Sequence, residues 1–208
     1  MSVRTRIKVC GLTRVEDVHA AVEAGADAIG MVFYPPSPRC LPVPKARVLR
    51  GAVPPFVTTV ALFVNAARDD VMRVIDAARP DLLQFHGEET PEYCGRFGVP
   101  YVKACRMKPG VDLLEYLRAF PDAAGWMADA YVEAYGGTGT TFDWSLVPAQ
   151  RDKPLILSGG LTKGNVAEAI RRVRPWAVDV SSGVEVSKGV KDAALISTFI
   201  SEVHNADV

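Results

Sequence analysis

Along the chain, short runs of apolar residues alternate with stretches in which apolar residues return every three or four positions. The runs are Ile7–Val9, Ala28–Phe33, Val57–Val64, Leu82–Phe85, Tyr101–Ala104, Gly125–Ala128, Leu155–Leu157 and Ala177–Val180. Most are continuous rather than alternating, the pattern of parallel strands covered on both faces. Between them, Val71, Val74, Ile75 and Ala78 form one stripe, as do Val166, Ala169, Ile170 and Val173, and Ile196, Phe199, Ile200 and Val203. Each stripe predicts an amphipathic helix laid on a sheet. Val15, Val18 and Val22 predict a helix with Thr13 as N-cap and Gly25 as its stop. Leu113, Leu114 and Leu117 predict another, entered from Pro109-Gly110. After strands two, four and six the segments are shorter or broken by proline.

Eight strand candidates in 208 residues leave about 26 residues per unit. Such a βα repeat predicts a parallel sheet, either open and doubly wound or closed as a (β/α)8 TIM barrel. The barrel is favoured, because eight units close without edges and no GxGxxG follows the first strand. With no Ser/Gly linker or charge run, residues 1–208 read as one barrel domain.

Composition narrows the partners. The chain is 49% hydrophobic and 23% charged, which excludes disorder, and its 24 basic residues balance 24 acidic ones. There is no basic excess for nucleic acid or anionic lipid. No apolar run approaches the roughly 18 residues of a membrane span, and the start lacks a signal-peptide stretch. Cys10, Cys40, Cys94 and Cys105 form no CxxC pair and no metal-ligand spacing, so no metal site and a reducing cytoplasm are expected.

In a barrel of this kind the chemistry sits on the loops after the C-terminal strand ends. Ser158-Gly159-Gly160 after strand seven and Ser181-Ser182-Gly183 after strand eight are glycine-rich turns in the usual phosphate-binding position. The plainer alternative is that they are tight turns only. Cys10 ends strand one and is equally readable as a reactive thiol, with Lys8 on the same strand face, or as a buried small hydrophobe. Asp129, at the rim of strand six, suits a general acid whose carboxyl is raised by partial burial, or else a loop anchor. Arg39, in the loop Pro35-Pro36-Ser37-Pro38-Arg39, offers a fork to a carboxylate or phosphate, or is simply solvated. His86 is read as a hydrogen-bonding scaffold piece. Lys103 is kept as a Schiff-base amine, and Asp27 and Asp179 are expected to pair with Lys8 or Lys103. Cys40, Cys94 and Cys105 read as structural.

Taken in order, these stretches resemble the phosphoribosylanthranilate isomerases of tryptophan biosynthesis over nearly the whole chain. The resemblance rests on Lys8–Thr13 (KVCGLT), Gly25–Gly30, Phe33–Arg39 (FYPPSPR), Gln84–Gly87 (QFHG), Gly136–Gly139 with Phe142–Trp144, Ser158–Leu161 and Val178–Glu185 (VDVSSGVE). It implies a (β/α)8 barrel and a cofactor-free Amadori rearrangement of N-(5-phospho-β-D-ribosyl)anthranilate. The product is 1-(2-carboxyphenylamino)-1-deoxyribulose 5-phosphate. It also implies Cys10 as general base, Asp129 as general acid, Arg39 on the anthranilate carboxylate, and Gly159, Gly160, Ser182 and Gly183 on the phosphate. Two positions depart from the family pattern: Thr140 stands where lysine is common, and Ala128 where leucine is common. A related histidine-pathway isomerase would carry an aspartate in place of Cys10. A non-catalytic phosphosugar-binding barrel would not need both an acid and a base. Assembly as monomer or homodimer is left open by the sequence.

Overall fold

The computed structural model describes residues 4–108, 110–131 and 141–206. Eight parallel strands close into a barrel: β1 (Arg6–Cys10), β2 (Ala28–Val32), β3 (Thr58–Phe63), β4 (Leu82–Phe85), β5 (Tyr101–Met107), β6 (Gly125–Ala130), β7 (Leu155–Leu157) and β8 (Ala177–Val180). Each strand pairs with the next, and β8 returns to β1 with Asp179 beside Lys8. The helices are α1 (Val15–Glu23), α2 (Val43–Gly51), α3 (Arg68–Ala78), α4 (Pro91–Gly95), α5 (Leu113–Arg118), α6 (Val166–Val173) and α7 (Ala193–Ala206). The closed barrel is therefore the right choice over the open sheet. No helix among the described residues is long and apolar enough to cross a membrane.

Alternation along the strands sorts the side chains into two shells. Ile7, Val9, Ile29, Met31, Phe63, Leu83, Phe85, Trp126, Leu155, Leu157, Val178 and Val180 join one apolar cluster with helix residues such as Val18, Leu49, Val74, Val166 and Phe199. That cluster is the outer shell, and each fully buried large side chain in it contributes about 1.5–3 kcal/mol. Phe85 stands among Phe63, Tyr93, Phe97 and Tyr101 with ring centroids 5.8–6.2 Å away. The residues between them in sequence, including Lys8, Cys10, Gln84, Met127, Asp129 and Asp179, face the barrel interior. Within that interior Lys8 Nζ donates to Asp179 Oδ1 at 2.8 Å between the neighbouring strands β1 and β8, and Gln84 Nε2 of β4 reaches Met127 Sδ of β6 at 3.3 Å.

Several local expectations change. β6 runs on to Ala130, two residues past its apolar run, and Asp129 is its penultimate residue, at the rim as expected. Thr13 does not cap α1; Arg14 occupies that position without a side-chain cap, while the Thr13 hydroxyl donates to Gly189 O at 2.5 Å. The stop at Gly25 holds, with φ of 100°. α5 starts from Asp112, whose carboxylate accepts from Glu115 N at 2.9 Å, and Pro109 lies outside the described residues. Among the described residues between β6 and β7 there is a 3-10 turn, Trp144–Leu146, and no α-helix. Asp143 caps that turn, and Val147 turns extended because Pro148 follows it. Beyond β8 comes a hairpin that the apolar runs do not announce: β9 (Glu185–Ser187) antiparallel to β10 (Val190–Lys191).

Lys103 corrects two expectations at once. It sits on the outward face of β5, fully buried, and its Nζ donates to Glu89 Oε2 at 2.9 Å and Gly87 O at 2.6 Å. An amine held there faces the helical shell beside the Tyr116 and Phe120 rings, away from any mouth chemistry and from both Asp27 and Asp179. Asp27 pairs with Arg4 and accepts from Ile7 N at 2.9 Å. Lys103→Met would strand Glu89 as a buried, unbalanced charge. Urea denaturation is expected to show a loss of about 3–5 kcal/mol; a loss below about 1 kcal/mol would contradict the pairing as described.

Candidate active site

The C-terminal strand ends gather the sequence-predicted groups. Cys10 faces inward at the end of β1, 4% exposed, and so falls on the interior rather than the outer shell. Its cross-strand partner on β2 is Gly30, and any β-carbon there would collide with the Cys10 sulfur. The missing side chain is what gives the thiol its room. Burial pushes the Cys10 thiol above its ordinary value, against the opposing pull of the nearby Lys8 ammonium. Lys8 is itself held charged: burial works against the ammonium, but the Asp179 carboxylate outweighs it and raises Lys8. The expected Lys8–Asp179 pair is thus present, and Lys8 serves Cys10 only as a second partner.

Asp129 departs from expectation. Its side chain is 20% exposed, and Oδ2 is 2.8 Å from His86 Nε2. Burial pushes the carboxyl up, but the hydrogen bond and charge of His86, with help from Ser158 and the Ala130 backbone, prevail and hold it below the ordinary carboxylate value. The raised acid anticipated from the sequence is corrected to a resting carboxylate. Its partner is in turn placed by Gln84, whose Nε2 lies 2.9 Å from His86 Nδ1. Asp129, held as a carboxylate, has no proton to give, so the 2.8 Å bond between them is donated by His86 Nε2. His86 is therefore the scaffold piece expected of it, with Asp129 as the group it holds.

Arg39 is buried rather than solvated, 5% exposed. Its Nε and Nη2 both donate to Glu185, at 2.7 Å each, and the side chain lies so closely across Gly11 that a β-carbon there would strike it. Glu185 belongs to a stretch quoted for the resemblance, yet nothing in its spacing marks it as the partner of a residue 146 positions away.

The two glycine-rich turns interlock. A β-carbon on Gly183 would collide with the carbonyl oxygen of Leu161, and one on Gly159 with the backbone of Ala130. Gly159 also has φ of 89°, where side chains are strained. Among the described residues, Gly159, Gly160, Ser182 and Gly183 place no N–H in a turn or loop hydrogen bond. The helix after the first turn starts at Val166, the first residue of its apolar stripe. The Gly136–Gly139 turn and Thr140 lie outside the described residues, whereas Ala128 is fully buried in the outer shell. Of the other cysteines, Cys94 and Cys105 are buried with thiols pushed up by burial to about 12 and about 11, as befits structural thiols. No cluster of three metal-ligating side chains occurs among the described residues.

A closed (β/α)8 barrel with a thiol, a carboxylate, an arginine fork and two facing glycine turns at one mouth has the layout of a barrel enzyme. The chain's residues 7–202 match the family model described as N-(5'phosphoribosyl)anthranilate (PRA) isomerase. It is 57% identical over 200 residues to the N-(5'-phosphoribosyl)anthranilate isomerase of Pseudomonas syringae pv. tomato, covering 96% of this chain and 97% of that one. A crystal structure of phosphoribosyl anthranilate isomerase from Thermotoga maritima superposes with a TM-score of 0.89 at 40% identity, covering 97% of this chain and 99% of that chain. Another isomerase structure, in complex with reduced 1-(o-carboxyphenylamino)-1-deoxyribulose 5-phosphate, gives 0.86 at 38% identity, with 97% and 99% covered. The chain belongs to the N-(5'-phosphoribosyl)anthranilate isomerase family.

Carboxyl-carbon NMR is expected to find Asp129 titrating below the ordinary aspartate midpoint of about 3.9. In His86→Ala the midpoint should move up, because burial then acts unopposed by the imidazole. An unmoved midpoint would contradict the hold of His86 on Asp129.

Proposed function

We infer that the chain isomerises N-(5'-phosphoribosyl)anthranilate to 1-(o-carboxyphenylamino)-1-deoxyribulose 5-phosphate, in tryptophan biosynthesis, by one acid and one base. The observation that carries this reading is the order of strands around the mouth. The strand bearing Asp129 and the strand bearing Cys10 are separated by β7 and β8, whose glycine turns lie between the two groups. A phosphate seated on those turns would leave the sugar within reach of both sides.

Asp129 protonates the furanose ring oxygen, and the C1′–oxygen bond breaks as the anilino nitrogen lone pair forms the imine. Cys10, as thiolate, removes the C2′ proton, and the electron pair moves to give an enolamine. That enolamine tautomerises to the ketone, so atoms balance within one molecule and no redox partner is involved. Arg39 receives the anthranilate carboxylate, and the turns at Gly159-Gly160 and Ser182-Gly183 receive the phosphate. The ligand is thus a small phosphosugar-anthranilate, handled by one catalytic barrel. Four free cysteines, two of them buried in the outer shell, support a reducing cytoplasm as its compartment.

For assembly we favour a homodimer, the state of the Thermotoga maritima relative. Phe56, on the Pro54-Pro55 tip between α2 and β3, is fully exposed with φ of 70°. With Pro54 and Pro55 exposed beside it, this aromatic makes the apolar tip that we assign to the contact with a second copy. Sedimentation of Phe56→Ser should give the monomer mass, against a dimer for the parent chain; a parent that sediments as a monomer contradicts the assignment.

Cys10→Ala and Asp129→Ala should each lose at least about 100-fold in turnover, followed by the fluorescence of the anthranilate. Both variants should still fold and still bind the reduced product analogue. Full turnover in either one would overturn the role given to that residue.

A further inference from the structure

The β9–β10 hairpin contributes nothing to closing the barrel, yet it carries a buried chain of charges into the mouth. Glu185 and Lys191 are register partners across the hairpin. Lys191 is 0% exposed at its side chain, and its Nζ donates to Glu185 Oε1 at 2.8 Å, to Ser181 O at 3.0 Å and to Ser181 Oγ at 3.3 Å. All three ammonium protons are therefore used. Glu185, 5% exposed at its side chain, accepts the Nε and Nη2 edge of Arg39 on its two oxygens. Burial alone would raise the Glu185 carboxyl, but Arg39 and Lys191 hold it below its ordinary value.

The hairpin is tied to the segment that follows Cys10. Thr13 Oγ1 donates to Gly189 O at 2.5 Å, Arg14 Nη2 to Lys191 O at 3.2 Å, and Lys191 N to Asp17 Oδ2 at 3.4 Å. Three buried charges in a row are a poor way to stabilise a fold, since each must be desolvated. They are a good way to aim a guanidinium. With one edge of the fork taken by Glu185, Nη1 donates to no acceptor among the described residues. An arginine paired one-to-one with a glutamate would present a neutral couple to an anion. Lys191 restores a net charge of about +1 to the cluster (two cations, one anion). Lys191 also grips Ser181, the residue just before the Ser182-Gly183 turn.

We propose that Glu185 and Lys191 are positioning residues that aim Arg39 at the substrate's aromatic carboxylate and set its distance from the phosphate turn after β8. This rests on the reading of Arg39 as the carboxylate-binding group. The pair does not touch the reacting carbons; it selects a ligand bearing a carboxylate at one end and a phosphate at the other.

The test uses two ligands: the reduced analogue with its ring carboxylate, and the same compound built on a plain phenylamino group. Arg39→Ala is the control and should weaken only the carboxylate-bearing ligand, by about tenfold or more. Glu185→Gln and Lys191→Met should show the same selective loss. For both, KM for phosphoribosylanthranilate should rise about tenfold with kcat within about threefold. Should Glu185→Gln lower the folded fraction, Lys191→Met and Glu185→Asp are compared on the same two ligands. Equal weakening of both ligands, or weakening of neither, while Arg39→Ala keeps its selectivity, overturns the positioning proposal. An Arg39→Ala variant that does not discriminate overturns the Arg39 reading instead.

Discussion

The ion pair between Lys8 and Asp179, 2.8 Å apart on the two strands that close the barrel, is the constraint on which the mouth depends. Both side chains are nearly inaccessible, so neither charge is tolerable there without the other. Two residues further along each strand, on the same inward face, come Cys10 and Ser181. The pair therefore fixes the register that brings the thiol of β1 level with the turn after β8. Shifting β1 by one residue would turn Cys10 into the helical shell and bring Val9 inward, and the same slip in β8 would bury Asp179 among the helices. Lys191, gripping Ser181, and Arg39, lying across Gly11, are built upward from the same base.

Electrostatics divides the mouth into two halves of opposite resting preference. Burial keeps the Cys10 thiol protonated beyond its ordinary value, and His86 keeps Asp129 ionised below its own. In the mechanism proposed above, the isomerisation needs the reverse of both: a thiolate to take the C2′ proton and an acid to open the ring. Raising pH increases the thiolate and depletes the acid in equal proportion. Between the two midpoints, the fraction of enzyme in the acting form is therefore constant. Only below the Asp129 midpoint or above the Cys10 midpoint does that fraction fall. The sequence alone suggested an acid raised by partial burial, where the structure holds a carboxylate.

Much of this was legible from the chain. Continuous runs such as Leu82–Phe85 and Leu155–Leu157 match their strands residue for residue, because a strand buried on both faces is apolar at its ends, and the one polar residue in these two, Gln84, is internal. Cys10, Asp129, Arg39 and the two glycine turns could be nominated because barrel topology delivers strand ends to one face. What stayed hidden was who holds whom. His86 was visible as a scaffold residue, but its bond to Asp129 crosses from β4 to β6, and no local pattern encodes it. Glu185 and Lys191 sit on a short hairpin with little apolar content, so hydrophobic periodicity passes over them. Its one local signal is the alternation of Glu185-Val-Ser-Lys-Gly-Val-Lys191 around a glycine. Lys103 misled because a lysine inside a strand looks like mouth chemistry until the strand's facing is known. The odd-numbered face of β5 turns it outward to Glu89.

In the proposed mechanism, Cys10 and Asp129 act as one acid–base pair whose resting protonation is inverted. The most direct test is the pH dependence of kcat/KM for phosphoribosylanthranilate between about pH 7 and 8.5, the interval between the ordinary midpoints of histidine and cysteine. The inverted pair predicts a level profile across that interval. A logarithmic profile climbing with unit slope would mean that the thiolate works without Asp129 as its acid, and would contradict the account.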